Sequence, residues 1–502
     1  MADHLDVLGA PERVRRQPLD RTRVQIFVTG VTALSVLLSG VAYAGYSALA
    51  PQGHSPEQVL PLGTAAFAKV DLDPSASQKI AVYRLSKRFP KTHVKSDHSV
   101  KDDLLADVFK AAGQEVDYRR DIKPWIGDRA AIGVVPGAAG DSPHPLVAVE
   151  FKDKGAATKG VQHLRDVNSA NDLFYAFSDV DDYVLLSDTQ EAVDAAAHAT
   201  RHLSDDGAYR SAIATLRGDQ IVTAWADLGK VFSLLPKDAL KNNPFFPMDN
   251  LKVGGQYVLG AHAENDAIEI ELHQLGATTG ISQLDHLALG TGKGSDLVLG
   301  FPSDSVAAVS VTGLGEALAS GYTSVQPMIA DLGGGDVLSS IAHAGIHLPA
   351  DLRTVFGTEV AGYVAGTKDD PIAVLHVKND HPAAAKAVLQ KVVGLVDQWS
   401  GQPTAPGYLD SVFKAVPDGF VVGVPEEALT AKATKQLGSS DVFRNAVPDA
   451  HGAPVVVFVD LAALQSRYDL GAGADLAKLQ AFGATTRSDG KNSVTRLRLT
   501  FR

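Results

Sequence analysis

The sequence beyond residue 60 contains two related stretches, and this internal repeat limits the fold more than any other feature. Several pairs of short segments match in the same order; DIKPWIGDRAAIGVV from Asp121, for example, matches DLRTVFGTEVAGYVA from Asp351. Solenoid proteins repeat units of about 20–50 residues, whereas each copy here is about 200 residues long. A unit of that size is a domain, or one half of a pseudo-symmetric body.

The repeat and the N-terminal pattern together divide the chain into parts. A length of 502 residues is consistent with more than one unit, because single cores stop growing at roughly 250–300 residues. The predicted parts, in chain order, are a cytoplasmic tail (1–23), a transmembrane signal anchor (24–50), a tether (51–59), a first α+β repeat (60–275), a glycine-rich linker (276–299) and a second α+β repeat (300–502).

Hydrophobic patterning predicts an α+β fold for each copy. In the first copy we expect strands at 65–71, 130–135 and 146–151 and hairpins over 173–187 and 256–275, with helices between these groups. Strands that come in neighbouring pairs favour a largely antiparallel sheet, which we expect helices to cover on one face. The alternative, a doubly wound nucleotide-binding fold, lacks its glycine fingerprint here.

Two segments alternate polar and apolar residues and predict strands with one face in water. They are AIEIELH, starting at Ala267, and VTRLRLT, starting at Val494. Successive side chains of a strand point to opposite faces, so this alternation separates a core face from a polar face.

Residues 24–50 contain no charged side chain and are numerous enough to span a hydrocarbon core of about 30 Å as a helix. Five arginines precede the segment, and the first basic residue after it is Lys69. The positive-inside rule therefore predicts a single-pass protein of the cell membrane, with a cytoplasmic N-terminus and an extracytoplasmic C-terminal part. The alternative is a signal peptide cleaved after Ala44, which exports the same domain.

Charge and cysteine content exclude several classes of function. The chain has 58 acidic against 46 basic residues and a formal net charge of -12, which argues against a nucleic-acid partner. It has no cysteine, so disulfide scaffolds, thiolate zinc sites, cysteine nucleophiles and lipoprotein anchors are excluded.

No motif predicts a catalytic, cofactor-binding or metal-ligating residue. His198 and His202 have the i, i+4 spacing of a metal pair on a predicted helix near 191–202, but the glutamate of a metalloprotease motif is missing. Ser411 and Lys414, which lie on a predicted strand, have an S-x-x-K spacing without its partner motifs. We interpret the histidines as solvated and the serine–lysine spacing as chance.

Acidic residues at two kinds of position have structural explanations. Asp179, Asp181 and Asp182 fall where a hairpin turns, although weak surface calcium binding remains an alternative. Asp227 and Asp460 each follow a strand and precede a helical run, which predicts N-caps. Arg210 and Arg444, at corresponding places in the two copies, are candidates to pair with such carboxylates.

One loop is a candidate for contact with the membrane or a partner. Phe245, Phe246 and Met248 lie between prolines in an otherwise polar stretch. Such a loop either faces lipid or a partner protein, or folds back to cover the sheet.

Two motifs carry a resemblance to a known family. They are LPLGTAAFAKVDLDPSASQK, starting at Leu60, and DIKPWIGDRAAIGVVPG, starting at Asp121. Together with the anchor, they resemble an actinobacterial family of membrane-anchored proteins classed only as a domain of unknown function. The resemblance implies the architecture and no activity, cofactor or catalytic residue.

The sequence therefore predicts a membrane-anchored extracytoplasmic binding or scaffolding protein, with an envelope protein or a lipid as its partner. A first alternative is a carrier or sensor of a lipid or another apolar ligand at the membrane surface. A second is a cell-wall hydrolase whose site residues are dispersed along the sequence. A cavity with apolar walls favours the carrier, and converging titratable groups favour the enzyme.

Overall fold

A computed structural model describes most of the chain beyond residue 54. The described residues are 55–71, 75–86, 88, 117–137, 142–167, 173–234, 253–278, 292–329, 335–469 and 476–502. The predicted anchor at 24–50 and the loop with Phe245, Phe246 and Met248 lie outside them. Within the described part, no helix is both long and apolar enough to cross a membrane.

The described residues contain one sheet of 16 strands, and every pairing between them is antiparallel. The strands are β1 (Ala66–Asp71), β2 (Ile126–Val135), β3 (His144–Phe151), β4 (Phe174–Phe177), β5 (Tyr183–Ser187), β6 (Val222–Asp227), β7 (Gly254–Ala263), β8 (Ala267–Thr278), β9 (Ala307–Thr312), β10 (Glu359–Gly366), β11 (Pro371–Lys378), β12 (Phe413–Val416), β13 (Gly419–Val424), β14 (Val455–Val459), β15 (Leu479–Ser488) and β16 (Ser493–Phe501).

Helices lie between these strands and vary in length from five to 19 residues. They are α1 (Ala76–Ser86), α2 (Lys154–Val167), α3 (Gln190–Ala197), α4 (Gly207–Ile213), α5 (Leu228–Leu234), α6 (Leu314–Ile329), α7 (Gly335–His343), α8 (Ala350–Phe356), α9 (Pro382–Ser400), α10 (Tyr408–Val412), α11 (Asp441–Ala446) and α12 (Leu461–Tyr468). The α+β class and the antiparallel sheet agree with the prediction, and the strands predicted in the first copy are confirmed to within a few residues.

The strand order is the same in the two halves of the sheet. From its edge to the centre, the first half runs β4-β5-β3-β2-β1-β6-β7-β8, and the second runs β12-β13-β11-β10-β9-β14-β15-β16. Each strand of one half thus has a counterpart at the same place in the other. β8 and β16 pair with each other, with Ile270 opposite Leu497, and join the halves into one sheet.

Helices pack on both faces of the sheet, so the prediction of cover on one face is wrong. In β5 all five residues are buried. Tyr183 and Leu185 pack with α3 on face A, the face that also carries Phe67 and Trp225. Val184 and Leu186 pack with α2 on the opposite face, which we call face B. The prediction rested on strands that come in neighbouring pairs, and that pairing along the chain does not show how many faces of the sheet helices cover.

The second half also has a core on each face. On face A, α11 packs Phe443 and Ala446 against Ala308 and Phe458 of the central strands. On face B, α9 packs against Val360 and Val377, with Leu314 of α6 and Phe356 of α8 beside it.

Candidate functional site

Four alanines form the floor of a groove on face B in the first half. Ala66 lies opposite Ala226 and Ala68 lies opposite Ala224 on the neighbouring strands β1 and β6. Larger side chains stand around them, and the resulting groove, which is open to its surroundings, has a volume of about 290 Å³. The walls are Ile132 and Val134 of β2, Tyr257 and Leu259 of β7, and Leu272 of β8. Because the floor side chains are small and those around them are larger, the groove remains unfilled.

The groove has a rigid base and one closed end. Phe67 and Trp225, which alternate with the floor alanines, are buried in the core on face A. At one end, Val82 and Leu85 of α1 pack on Val70 and Val222, the next face-B residues of β1 and β6. The packing on face A and the packing of α1 thus both fix the two floor strands without occupying the groove.

The second half fills the same place with larger side chains. In the strands at the corresponding places, Ala307 lies opposite Val459 and Val309 lies opposite Val457. Three of the four floor positions thus carry valine instead of alanine. The open floor is consequently a feature of the first half, even though the strand order is shared.

The chemistry of the groove is that of an apolar binding surface. None of its lining residues in the described chain carries a charge, and the phenol of Tyr257 is the main polar group among their face-B side chains. Its volume lies just below the range of roughly 300–1,000 Å³ that is typical of ligand pockets. Such a surface can hold hydrocarbon by excluding water, and apart from the Tyr257 phenol its described lining residues supply no acid, base or nucleophile.

A second, polar cluster lies on face A where the two halves join; we call it the seam network. Glu271 of β8 lies opposite Arg496 of β16, with 3.0 Å between Arg496 Nε and Glu271 Oε1. His273 Nε2 lies 3.1 Å from Glu271 Oε2. One register step away, Arg498 donates to Glu269 at 3.0 Å. Glu271 is fully buried, so its charge depends on these partners.

Loops from both halves extend the seam network. Asp449 of the second half accepts a hydrogen bond from Arg496 at 3.0 Å and lies 3.6 Å from Arg217 of the first half. Arg498 also donates to Glu264 and to the backbone carbonyl of Asn445. The network therefore ties the central strands to both halves of the molecule.

The ion pairs keep two seam carboxyls, those of Glu271 and Glu264, ionised. Burial raises the pKa of Glu271, but the hydrogen bonds and charges of Arg496 and His273 outweigh it, and its pKa lies below the ordinary value of 4.5. The Arg498 guanidinium likewise lowers the pKa of Glu264, against a smaller opposite effect of burial. Neither carboxyl is therefore held protonated as a general acid.

Three seam residues also have the spacing of a metal site. Ligand atoms of His262, Glu264 and Glu269 lie within 4.8 Å of one another. Arg498 already donates to both carboxylates, at 2.6 Å and 3.0 Å. A divalent cation here would be repelled by that guanidinium, so the geometry favours an ion-pair network over a metal centre.

Comparison with known proteins assigns the chain to a family. A family model described as a protein of unknown function (DUF3352) matches residues 30–331, which is more than half of the chain. The chain belongs to the DUF3352 family. The resemblance to a family of unknown function is thereby confirmed, and the match includes every residue that lines the groove. No curated protein and no solved structure matches this DUF3352 protein significantly.

The structure separates the histidine pair that the sequence singled out. α3 ends at Ala197, so the helix predicted near 191–202 is too long. His198 caps its end, with Nδ1 2.6 Å from Asp179, and His202 precedes a separate short turn. The two imidazoles therefore do not share a helix face, because the chain leaves the helix between them.

The remaining candidates have local structural roles. Asp179, Asp181 and Asp182 form the turn between β4 and β5, as predicted. Ser411 lies in α10 and Lys414 in β12, so the strand predicted for both is wrong at Ser411.

Both predicted aspartate caps are confirmed, but their pairing with arginine is not. Asp227 accepts from the backbone N–H of Lys230 at 3.0 Å, and Asp460 from that of Ala463 at 2.8 Å. Arg444 instead pairs with Asp441, one turn earlier in the same helix. Arg210 donates to the backbone carbonyl of Ser204.

Sequence reasoning missed both the groove and the seam network. The alternation after Ala267 and Val494 correctly predicted strands, but the prediction of a wet polar face is wrong. Glu271 and Arg498 are buried there because β8 and β16 lie side by side and the segment with Asn445 and Asp449 packs over their shared polar face. The opposite charges of the two segments, Glu on one and Arg on the other, were the available signal.

Proposed function

We propose that this DUF3352 protein is an extracytoplasmic binding protein of the cell membrane that holds an apolar ligand, such as the acyl chain of a lipid, in the face-B groove. The observation that carries the proposal is the floor of four alanines, which is ringed by uncharged side chains. Each methylene that leaves water on binding contributes about 0.8 kcal/mol, so even a short chain gains several kcal/mol.

The geometry favours this carrier or sensor function over a scaffold without a ligand. A scaffold needs a surface for a partner, whereas the groove is a concave space with a packed base. The hydrolase alternative gains no support from the described residues that line the groove, since none is a carboxylate, histidine or serine. The common origin of the two halves by duplication is also part of the proposal, supported by their shared strand order.

Filling the groove is expected to abolish ligand binding. Ala224→Trp places an indole on the floor, and we expect labelling by a photoreactive decanoate to fall about tenfold or more, because at least two methylenes lose their burial. The full chain is reconstituted in a lipid nanodisc and exposed to decanoate with a diazirine at its tail. Mass spectrometry then locates and quantifies the labelled peptides.

A matched substitution on the other side of the sheet provides the control. Ala195 is an exposed alanine of α3, which packs on face A, and Ala195→Trp is expected to leave groove labelling unchanged. Labelling of the wild-type chain that avoids the peptides of β1, β2, β6 and β7 would contradict the proposed function. So would equal labelling of the Ala224→Trp chain.

The membrane anchor is tested separately. Leu37→Arg puts a charge in the middle of residues 24–50, at a cost of about 2.5–3.5 kcal/mol, and we expect the share of the chain in the membrane fraction to fall several-fold. Gln52→Arg, just outside the segment, is the control and should leave that share unchanged. Protease added outside intact cells should remove the folded part and spare an N-terminal tag; loss of the tag from membranes of untreated cells would instead indicate cleavage.

A further inference from the structure

The second half exposes apolar side chains in the interior of the sheet on face B. Val309, Val364, Leu375 and Val424 are between 36% and 44% exposed, and we call them the distal patch. They lie together, since Val309 and Leu375 both face Gly362, and Val364 and Val424 both face Ala373. Antiparallel sheets keep such side chains in a core or replace them with polar ones on a wet face.

A row of apolar residues connects the distal patch with the seam strands. Val309 lies opposite Val457, Val457 opposite Ala484, and Ala484 opposite Leu497. Leu497 in turn lies opposite Ile270 of β8, two residues from the groove wall Leu272. We call Leu497, Ala484 and Val457 the linking row. Cross-strand and diagonal neighbours are close enough to touch, so the row is continuous.

Polar groups beside the linking row are turned toward each other. Thr486 and Thr495 lie in the next register, between Val455 and Leu272. Their hydroxyls are 2.9 Å apart and form a hydrogen bond with each other. The charges of β8 and β16 lie on face A, in the seam network. The groove, the linking row and the distal patch form one apolar strip on face B, and this strip therefore crosses the join without meeting a charge of either strand.

Among the described residues, the helices that pack on face B leave a strip of it open. α1 packs over Val70 and Val222 on one side of the groove. In the second half, α8 and α9 pack over Val360 and Val377. From Ala224 on β6 to Val309 on β9 there are six strand-to-strand steps of about 4.8 Å, or about 29 Å. The strip is long and narrow, which suits one extended hydrocarbon chain.

We propose that the binding site continues from the groove along the linking row to the distal patch, and that it takes a single long acyl chain laid across both halves of the sheet. This inference rests on the proposed function, because it extends the same site. The groove alone accommodates roughly ten water-sized groups at about 30 Å³ each. A longer chain therefore extends beyond it, and the linking row is the apolar surface that meets it.

Two photoreactive probes of different length test the extension. Decanoate and tetracosanoate, each with a diazirine at the tail, are added to the full chain in a nanodisc. Decanoate is expected to label groove peptides only. Tetracosanoate is expected to label the groove and also peptides of β14, β9 or β10, as its tail reaches the distal patch. Tetracosanoate labelling confined to the groove would overturn the extension and leave the proposed function intact, whereas failure of decanoate would contradict the proposed function itself.

A charge placed in the linking row is expected to affect labelling by tetracosanoate but not labelling by decanoate. Val457→Asp is expected to reduce tetracosanoate labelling of the second half about tenfold, because burying an unpaired carboxylate is costly. Decanoate labelling of the groove should persist, and its persistence shows that the variant is folded. Val337→Asp, at an exposed valine of α7, is the matched control. Equal tetracosanoate labelling of the Val457→Asp chain would overturn the inference.

Cysteine labelling tests whether another part of this chain covers the strip. The protein has no cysteine, so Val309→Cys and the exposed control Val337→Cys each carry a single thiol. We expect both to react with an aqueous maleimide, and tetracosanoate to slow the reaction of Val309→Cys alone. A thiol at Val309→Cys that is unreactive without any probe would mean that the chain itself covers the distal patch, and would overturn the inference.

Discussion

Replacing Glu271 with glutamine is expected to lower the free energy of unfolding by about 3 kcal/mol. Glu271 is fully buried and accepts hydrogen bonds from Arg496 and His273. Glutamine has nearly the same shape but no charge, so the variant leaves the largely buried Arg496 with Asp449 as its remaining anionic partner. Removing the partner of a buried ion lowers the free energy of unfolding far more than removing the partner of an exposed ion.

Urea unfolding followed by circular dichroism measures this effect, and an exposed ion pair supplies the control. Asp441 and Arg444 form a pair of solvent-exposed side chains on α11. Asp441→Asn should change the free energy of unfolding by less than about 0.5 kcal/mol. Similar effects of Glu271→Gln and Asp441→Asn would mean that the seam network does not hold the two halves together.

The same variant has a predicted pH dependence. The folded-state pKa of Glu271 is lowered below 4.5, so the folded chain releases this proton more readily than the unfolded chain. The stabilisation is then fully present above the ordinary pKa and is lost as pH falls through the lowered folded value. The stability difference between wild type and Glu271→Gln should be constant above about pH 6 and should shrink as the solution is acidified below about pH 4. A difference that grows on acidification would contradict the ionised state of Glu271.

Replacing Trp225 with alanine is expected to cost about 3–5 kcal/mol. The indole is buried at the centre of the face-A core of the first half. Its ring meets Tyr209 edge to face at 5.4 Å, and its Nε1 donates to Gln256 at 2.8 Å. The substitution leaves a cavity beneath β6 and an amide oxygen without its donor. Because Ala224 and Ala226 flank Trp225 on the groove floor, ligand binding should weaken together with stability.

The thermal unfolding midpoint, followed by circular dichroism, measures the loss. Trp399 is 57% exposed on α9, and Trp399→Ala is the matched control with an expected change below about 1 kcal/mol. An unfolding midpoint that drops equally for both variants would contradict the assignment of Trp225 to the packed base of the groove.

The seam network and the apolar strip lie on opposite faces of the same two strands, β8 and β16. Glu271 and Arg496 point to face A and hold the halves together by charge, whereas Leu272 and Leu497 point to face B. A period of two along each strand allows both arrangements in adjacent residues. The join between the halves therefore carries the polar network without interrupting the apolar strip.

The sequence alone determined the class of fold and most of its elements. Alternation and turn residues predicted β1, β3, β5 and the hairpin of β7 and β8, because periodicity and turn chemistry are local properties. Aspartates before helical runs predicted the caps at Asp227 and Asp460 for the same reason. The local signals did not show that the helix ends at Ala197, and the predicted helix was therefore too long.

Only the tertiary structure decided which faces meet and where space remains. The floor alanines form two pairs, one on β1 and one on β6, that lie more than 150 positions apart in the chain, and only the pairing of β1 with β6 brings the two pairs together. Glu271 and Arg496 are likewise joined only by the pairing of β8 with β16. An alternating segment specifies that its two faces differ, but whether its polar face stays in water or pairs with a charged neighbouring strand under other parts of the chain depends on strand order and on what packs over that face. Strand order is a non-local property, and that is why both sites had to be found in the fold.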